Sequence, residues 1–345
     1  MLQNPNYQHQ PTSFRNLISK GALFPPEPDR YILYISYGCP YSHRAIMLRA
    51  LKGLEKIIKM CVVHPTFQYT NPANPEDKHR GFVFRDPESP PLSTTDGYGS
   101  ISCEGCINDC SVKHFKTIRE IYKGSNDENG KYSVPVLWDS KEEVIVNNDS
   151  GEIMRIFNSG FDSLAEHPEI DLFPPSLDEE IEKNDKWLSE NVTDAVYKVG
   201  FAKDQATYDS CVKILFDGLE SLEVKLGNSL YLNGDKLTGS DIRLFSTLLR
   251  FDDCYFILFK CNKKKIAECS NLLNFCRFIY QIPKIKETIH LSHMKASYYT
   301  NFVSLNPNGI IPCGMGSENL WAQPHNRLHL SENKEKNKEE CKEEK

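Results

Sequence analysis

The first third of the chain places short apolar runs on either side of an amphipathic segment. Residues 31–36 form a run of β-branched and aromatic residues that predicts a buried strand. Residues 40–51 then carry apolar positions at helical spacing, and Gly53 ends that helix. A second apolar run at residues 57–64 predicts another strand. This order of strand, helix and strand indicates the start of an α/β unit.

More elements follow a stretch dense in proline, aspartate, serine and glycine. A helix is predicted over about residues 112–122, and residues 134–139 and 144–147 predict two strands joined as a hairpin. Another helix begins at Ser150. The complete order, β-α-β-α-β-β-α, is typical of a thioredoxin-like domain.

The second half of the chain lacks strand patterns and predicts a bundle of helices. Long amphipathic segments cover about residues 178–193, 205–227, 239–259 and 270–280. Pro174 and Pro175 mark the linker before them. We therefore predict the fold class α/β plus all-α, with a thioredoxin-like domain over residues 31–172 and an all-helical domain over residues 173–330.

Composition and the chain ends narrow the class of protein. Residues 1–30 predict a polar, proline-rich lead-in, and residues 331–345 carry mixed charges that predict a disordered tail. The formal charge of -6, without a strongly basic face, argues against a nucleic-acid partner. No apolar stretch of about 18 residues is present, so no membrane span is expected. Because the first residues lack a secretory pattern, we expect a cytoplasmic location.

The chain contains 12 cysteines, which a reducing compartment would keep as thiols. Several of them, such as Cys61, Cys211 and Cys276, lie within apolar runs and are interpreted as small buried hydrophobic residues. Cys39 differs because it lies between a predicted strand and a predicted helix.

The segment Cys39-Pro40-Tyr41-Ser42 carries the strongest chemical signal. Unpaired N–H groups and the positive end of the helix dipole stabilise a thiolate at a helix N-terminus. Pro40 suits the first helical position, where an N–H group is not needed. Since Ser42 stands where a second cysteine could be, the chemistry would run through a mixed disulfide with a small thiol. Taken alone, the segment fits a buried structural cysteine equally well.

Two other segments could bind a peptide-like thiol. Val134-Pro135 precedes a strand, where a cis-proline of a thioredoxin-like fold would expose a backbone edge opposite Cys39. An ordinary proline at the start of a strand is the alternative. Residues 147–150 begin a helix whose N–H groups could bind a carboxylate, with Asp149 available for an α-amino group. A simple N-cap is the alternative there.

A resemblance to a known family extends these signals. The active-site strand and helix of the glutathionyl-hydroquinone reductases, or xi-class glutathione transferases, resemble SYGCPYSHRAIMLRALKGLE. That family includes the yeast omega-like glutathione transferases. The resemblance covers about residues 13–315 through SFRNLI, SVPVLWD, IVNNDSGEIMRIFN, AVYKVGFAKDQATYD, LTGSDIRLFSTLLRFD, FKCNKKKIAECSNL and NPNGIIP. It implies an all-helical glutathione-transferase domain after the thioredoxin-like domain, glutathione as co-substrate, and a homodimer.

The resemblance also implies roles for single residues. Cys39 would be the nucleophile, and the backbone of Val134 would hold the cysteinyl part of glutathione. Asp149 and Ser150 would hold its γ-glutamyl end, although the family usually has glutamate where this chain has Asp149. Arg119 would meet the glycyl carboxylate.

Aromatic positions complete the implied site. Phe82 stands where the family has a stacking tryptophan, and Tyr41 also replaces a usual tryptophan. Tyr197, Tyr255 and Tyr298 match positions that line a pocket for an aromatic quinol in the family. From periodicity alone these three tyrosines would be interpreted as core residues.

The implied activity is removal of glutathione from S-glutathionyl-hydroquinones. Cys39 would take the glutathionyl group as a mixed disulfide, a second glutathione would release it, and Tyr197 and Tyr298 would help to protonate the leaving carbon. The alternative is a general omega-like glutathione transferase with thiol transferase and dehydroascorbate reductase activity. A third possibility is a non-catalytic glutathione-binding protein that has kept the fold.

Residues 88–111 exceed the short loop that is usual in the resembled family. Cys103, Cys106 and Cys110, with His114 as a fourth ligand, suggest a zinc site. Because only three cysteines are available, we expect no metal there. A flexible loop near the cleft is the preferred interpretation.

Overall fold

The computed structural model describes residues 12–108, 114–127, 129–314 and 317–330. These residues form two compact units. The first unit contains residues 12–171 and 287–312, and the second contains residues 172–286 and 313–330. The predicted tail at 331–345 lies outside the described residues.

The first unit is built on a mixed four-stranded sheet. The described strands are β1 (Tyr31–Ile35), β2 (Lys59–Val62), β3 (Gln68–Tyr69), β4 (Arg80–Gly81), β5 (Val136–Asp139) and β6 (Val144–Asn147). The sheet has the order β2-β1-β5-β6, in which β1 is parallel to β2 and antiparallel to β5. β5 and β6 form the expected hairpin, with Asp139 opposite Val144, and β3 pairs with β4 apart from this sheet.

Helices occur in both units. They are α1 (Pro40–Leu51), α2 (Ile118–Gly124), α3 (Ser150–Arg155), α4 (Asp178–Leu188), α5 (Ala195–Gly200), α6 (Gln205–Asn228), α7 (Gly239–Leu248), α8 (Phe256–Leu258), α9 (Ser270–Tyr280), α10 (Leu291–Asn301) and α11 (Ser317–Trp321). Short 3₁₀ turns occur at Pro175–Leu177, Ile266–Glu268 and Lys286–Thr288. Among the described helices, none has both the length and the apolar character that crossing a membrane requires.

The apolar strands of the first unit are buried because helices cover the sheet. Every residue of β1 and β5 is buried, which explains their continuous apolar sequence. α1 packs on α3, while α2 lies beside β6. A cluster that includes Tyr34, Phe115 and Trp138 forms the core beneath α2. The fold class predicted from the sequence is therefore confirmed for this unit.

The lead-in is tied to the edge of the sheet from residue 14 onward. Asn16 N donates to Val146 O at 3.0 Å, and Asn148 N donates to Phe14 O at 3.1 Å. Phe14 N in turn donates to Asn148 Oδ1 at 3.2 Å. This part of the lead-in thus continues the sheet beyond β6.

The insertion is folded over its described residues, 88–108. Leu92 pairs with Ile101 as an antiparallel bridge, and Ile107 pairs with Val62 at the end of β2. Backbone hydrogen bonds thus hold this part of the segment at two points, and its flexibility stays a prediction. The few apolar residues of the insertion are too widely spaced to show a helix or strand periodicity in the sequence. Three of them nevertheless form backbone bridges in the structure.

The helix α10 belongs to the first unit, whereas the sequence prediction grouped it with residues 173–330. Asn301 Oδ1 accepts from Phe67 N at 2.7 Å, and Asn301 Nδ2 donates to Pro65 O at 2.8 Å. Sequence periodicity missed this helix because most of its residues are buried, which removes the amphipathic pattern.

The second unit contains the four predicted helical stretches, of which one is divided. α4 continues into a π-helical turn at Ser189–Thr193, while α6 and α9 follow the prediction closely. The stretch predicted at 239–259 instead breaks after α7, where a π-helical turn at Phe251–Tyr255 leads into α8. Buried Asp252 in this turn accepts hydrogen bonds from the backbone N–H groups of Ile266 and Ala267.

Candidate functional site

Cys39 is the N-cap residue of α1. Its backbone is extended, with φ -77° and ψ 121°, and Pro40 opens the helix. The Cys39 side chain makes no capping hydrogen bond, so its sulfur does not serve the helix end. The side chain is half-buried. The sulfur thus lies, half-buried, at the N-terminus of a helix, which is a common position for reactive cysteines.

The loop before Cys39 is held by its own polar groups. Cys39 N donates to Ser36 O at 3.1 Å, and Gly38 N donates to Ser36 Oγ at 3.2 Å. Buried Ser42 accepts from Ser36 N at 3.5 Å. Ser42 therefore supports the loop, where a second cysteine would have provided a disulfide partner.

The segment before β5 faces the cysteine. Cys39 Sγ lies 3.5 Å from Val134 O, and the Val134-Pro135 peptide bond is cis. The sequence of this segment is compatible with either the cis or the trans isomer. The structure therefore brings two of the predicted site residues, Cys39 and Val134, into direct contact.

Asp149 is the N-cap of α3. Its Oδ1 accepts from Gly151 N at 2.9 Å and from Glu152 N at 3.0 Å, so it satisfies two N–H groups of the first turn. Ser150 is buried as the first residue of the helix. The second oxygen, Oδ2, accepts from Thr12 Oγ1 at 3.5 Å.

Tyr122 connects the segments of Val134 and Asp149, although no motif marks it as a functional residue. Its hydroxyl donates to Ser133 O at 2.9 Å and lies 3.0 Å from Asn148 Nδ2. Ser133 precedes Val134 and Asn148 precedes Asp149. Burial raises the pKa of Tyr122 to about 12, so the hydroxyl stays protonated as this connection requires.

Arg119 has internal partners in the first turn of α2. Its Nη1 lies 2.6 Å from Asp77 Oδ2 and donates to Thr70 Oγ1 at 3.1 Å. The guanidinium carbon lies 5.7 Å from the ring centroid of Tyr132, two residues before Val134. Arg119 is thus near the segment that faces Cys39, but it is already paired with a carboxylate.

The two positions that lack the family's tryptophan are aromatic and half-buried. Phe82 packs edge-on against Phe67, with ring centroids 4.6 Å apart. Phe82 and Cys39 both pack against the core cluster beneath α2. The guanidinium carbon of Arg44 lies 4.6 Å from the ring centroid of Tyr41. Both rings thus have protein neighbours, and each offers less stacking area than an indole.

The helix α10 approaches the cysteine loop. A Cβ atom added to Gly38 would lie 2.3 Å from Ser297 Cβ, which is far inside van der Waals contact. Tyr37 stacks on His290 with ring centroids 3.6 Å apart, and burial lowers the pKa of His290 to about 4. Tyr298, the residue that follows Ser297 in α10, is buried. These contacts hold α10, the helix that carries Tyr298, against the loop before Cys39.

We expect Gly38→Ala to lower the free energy of unfolding by about 1–3 kcal/mol, because the added methyl group must push Ser297 and its helix away. Chemical denaturation measures this change. Gly124→Ala is the matched control, since a Cβ atom there meets nothing within 4 Å. Equal stability of the Gly38→Ala variant and the control would contradict the contact.

Tyr197 and Tyr255 lie in the second unit and contact each other. Their ring centroids are 5.8 Å apart in an edge-on arrangement, and both rings pack against Phe259. Both tyrosines are buried. Within that unit the structure brings together two of the three tyrosines that the resemblance assigns to a quinol pocket.

The two described cysteines of the insertion, Cys103 and Cys106, are buried. Cys103 and Cys106 are each only 1% exposed, and burial raises the pKa of the Cys106 thiol to about 12. The turn between them is fixed to α10, since His293 Nε2 lies 2.5 Å from Glu104 O. Buried thiols of this kind are poor nucleophiles.

A metal reading of the insertion gains no support from the part of the chain that the structure describes. Cys110 lies outside the described residues, and His114 is exposed. Among the described positions, no group of three or more His, Cys, Asp or Glu side chains could hold a metal ion.

Comparison with known proteins gives consistent matches. The family model described as glutathione S-transferase, N-terminal domain, matches residues 38–159. The glutathionyl-hydroquinone reductase YqjG of Escherichia coli is 37% identical over 330 residues, which is 93% of this chain and 92% of that protein.

Two solved structures share the whole fold. The xi-class glutathione transferase of Natrialba magadii superposes with a TM-score of 0.80 at 37% identity, covering 92% of this chain and 89% of that one. The glutathione-bound structure of YqjG from Escherichia coli gives a TM-score of 0.79 at 36% identity, covering 91% and 96% of the two chains.

Proposed function

The chain belongs to the family of xi-class glutathione transferases and glutathionyl-hydroquinone reductases, and on that basis we propose that it removes glutathione from S-glutathionyl-hydroquinones. The protein is an enzyme of this family, and glutathione is its co-substrate. The observation that carries the proposal is Cys39 at the start of α1, with its sulfur 3.5 Å from Val134 O.

The first step is attack by the Cys39 thiolate on the sulfur of the thioether. A sulfur–sulfur bond forms, the bond between that sulfur and the aromatic carbon breaks, and the carbon takes up a proton. The products are the hydroquinone and a Cys39–glutathione mixed disulfide. Cys39 attacks from the N-cap position of α1, where its side chain makes no capping hydrogen bond.

The second step regenerates the thiol. The thiolate of a second glutathione attacks the mixed disulfide, which releases oxidised glutathione and reduced Cys39. Two electrons from the two glutathione sulfurs thus reduce the aromatic carbon. Ser42 cannot compete as a resolving group, because a hydroxyl forms no disulfide.

Binding roles follow the same proposal. Val134 holds the cysteinyl part of glutathione, Asp149 and Ser150 hold the γ-glutamyl end, and Arg119 meets the glycyl carboxylate. Phe82 offers a ring beside this ligand.

The quinol side of the proposal involves the three tyrosines. As the resemblance implies, we assign contacts with the aromatic ring to Tyr197, Tyr255 and Tyr298. The hydroxyls of Tyr197 and Tyr298 serve as hydrogen-bond partners of the ring oxygens and as the proton source for the carbon. Homodimer formation and a cytoplasmic location stay predictions from the sequence.

A panel of three substrates tests this function. We expect high turnover of a glutathionyl-menadiol conjugate, high turnover of hydroxyethyl disulfide, and almost no conjugation of chlorodinitrobenzene, because a cysteine attacks sulfur rather than activating glutathione for conjugation. Turnover of hydroxyethyl disulfide without turnover of the menadiol conjugate would favour a general omega-like thiol transferase. Turnover of neither compound would contradict both enzyme functions.

A further inference from the structure

The carboxylate of Asp77 forms an ion pair with Arg119, whose guanidinium the proposed function assigns to the glycyl carboxylate of glutathione. Asp77 Oδ2 lies 2.6 Å from Arg119 Nη1, and both side chains are about five-sixths buried, with 16% and 15% exposed. Arg119 is therefore neutralised before any ligand arrives. A second carboxylate that reaches this guanidinium must share it with Asp77 or displace it.

Asp77 is held in this position by its own loop. Its Oδ1 accepts from His79 N at 3.2 Å, and its Oδ2 accepts from Asn71 Nδ2 at 3.2 Å. The hydrogen bond from Asn71, together with those from Arg119 and His79, lowers the pKa of Asp77 below its ordinary value. The carboxylate is therefore ionised at neutral pH.

The neighbouring His79 adds no positive charge to this ion pair. His79 Nδ1 and Thr70 Oγ1 form a hydrogen bond of 2.8 Å. Burial lowers the pKa of His79, so its ring is neutral at pH 7. Arg119 Nε is buried and has no hydrogen-bond partner among the described residues. The guanidinium thus has unused donor capacity, but its charge is already compensated.

We propose that Asp77 sets the affinity for the glycyl end of glutathione, as an internal carboxylate that competes with the glycyl carboxylate for Arg119. This inference rests on the proposed function. Two carboxylates on one guanidinium repel each other, whereas one carboxylate is attracted. A ligand whose glycyl carboxylate is converted to an amide does not meet this competition. Asp77 thereby makes the protein less selective for glutathione over its C-terminal amide.

The test compares two non-reactive ligands by titration calorimetry with the full chain. S-methylglutathione carries the glycyl carboxylate, and its C-terminal amide carries an uncharged group in the same place. We expect Asp77→Asn to bind S-methylglutathione about two- to five-fold more tightly than the wild type, the range for a partly exposed ion pair. Its affinity for the C-terminal amide should be unchanged.

Glu76→Gln is the matched control, because it removes the same charge from the neighbouring, exposed residue. It should leave both affinities unchanged. Asp77→Ser serves as a second variant and should show the same tightening if Asp77→Asn folds poorly.

The outcomes separate this inference from the proposed function. Unchanged or weaker binding of S-methylglutathione by both Asp77 variants would overturn the inference and would make Asp77 a residue that positions Arg119. An equal gain in the Glu76→Gln variant would overturn it in favour of a general charge effect. Failure of the wild type to bind either ligand would overturn the proposed function, and the inference with it.

Discussion

Replacing Cys39 by serine is expected to lower kcat/KM for glutathionyl-hydroquinone reduction on the order of a thousand-fold or more. A serine hydroxyl is a far weaker nucleophile toward sulfur and cannot form the mixed disulfide. The Cys39 side chain makes no capping hydrogen bond in α1, so the variant should keep its thermal stability. Steady-state kinetics and a melting curve measure the two quantities.

The control for this variant is Cys313→Ser, because Cys313 is an exposed thiol in the second unit. It should retain wild-type activity and stability. If Cys39→Ser kept more than a tenth of the wild-type rate, another group would have to be the nucleophile. The buried thiols Cys103 and Cys106 would be poor candidates for it.

The largest expected loss of stability follows from Asp241→Ala. Asp241 is fully buried at the start of α7, where it accepts hydrogen bonds from Leu232 N at 2.8 Å, Thr238 N at 2.9 Å and Thr238 Oγ1 at 2.8 Å. Alanine would leave these buried donors unpaired, at about 1–3 kcal/mol for each unsatisfied group. We therefore expect the free energy of unfolding to fall by about 3 kcal/mol or more.

Asp204→Ala is the control for this loss, because Asp204 caps α6 at an exposed position, where it accepts from Thr207 N at 2.8 Å. That exposed cap should cost about 0.5–2 kcal/mol. Denaturant titration measures both variants. Equal losses would show that burial of the Asp241 donors has no special effect.

The Asp241 effect should also depend on pH. Burial raises the pKa of Asp241 to about 6, above its value of 3.8 in an unfolded chain. Between these two pH values the folded protein holds a proton on Asp241 that the unfolded chain has released. The protonation of Asp241 therefore stabilises the fold fully below pH 3.8, and this stabilisation is lost as the pH rises through about 6. Asp241→Ala should consequently lose more stability at pH 5 than at pH 7.5.

Much of the site was open to sequence reasoning because it depends on local chemistry. Residue type and spacing alone identify Cys39, between a strand and a helix, and Asp149, at the start of α3. The motif LTGSDIRLF served as a family signature, and the structure gives it a physical reason in the capping bonds of Asp241. Residues of this kind make their contacts within a few positions of themselves.

Other features required long-range contacts that no sequence period reports. Asp77 lies in a loop rich in proline and polar residues, yet it pairs with Arg119 across the fold. Tyr122 looks like a core residue of α2, and only its two hydrogen bonds show that it joins the segments of Val134 and Asp149. The helix α10 is buried on several sides, so its grouping with the first unit was not predictable from periodicity.

A single-turnover experiment tests the central claim most directly. The reduced protein is mixed with one equivalent of a glutathionyl-hydroquinone in the absence of free glutathione, and intact mass, peptide mapping and released hydroquinone are measured. We predict one glutathionyl group on Cys39 for each hydroquinone released, and its loss as oxidised glutathione when glutathione is then added. Hydroquinone released without an adduct on Cys39, or no release until glutathione is added, would contradict the account.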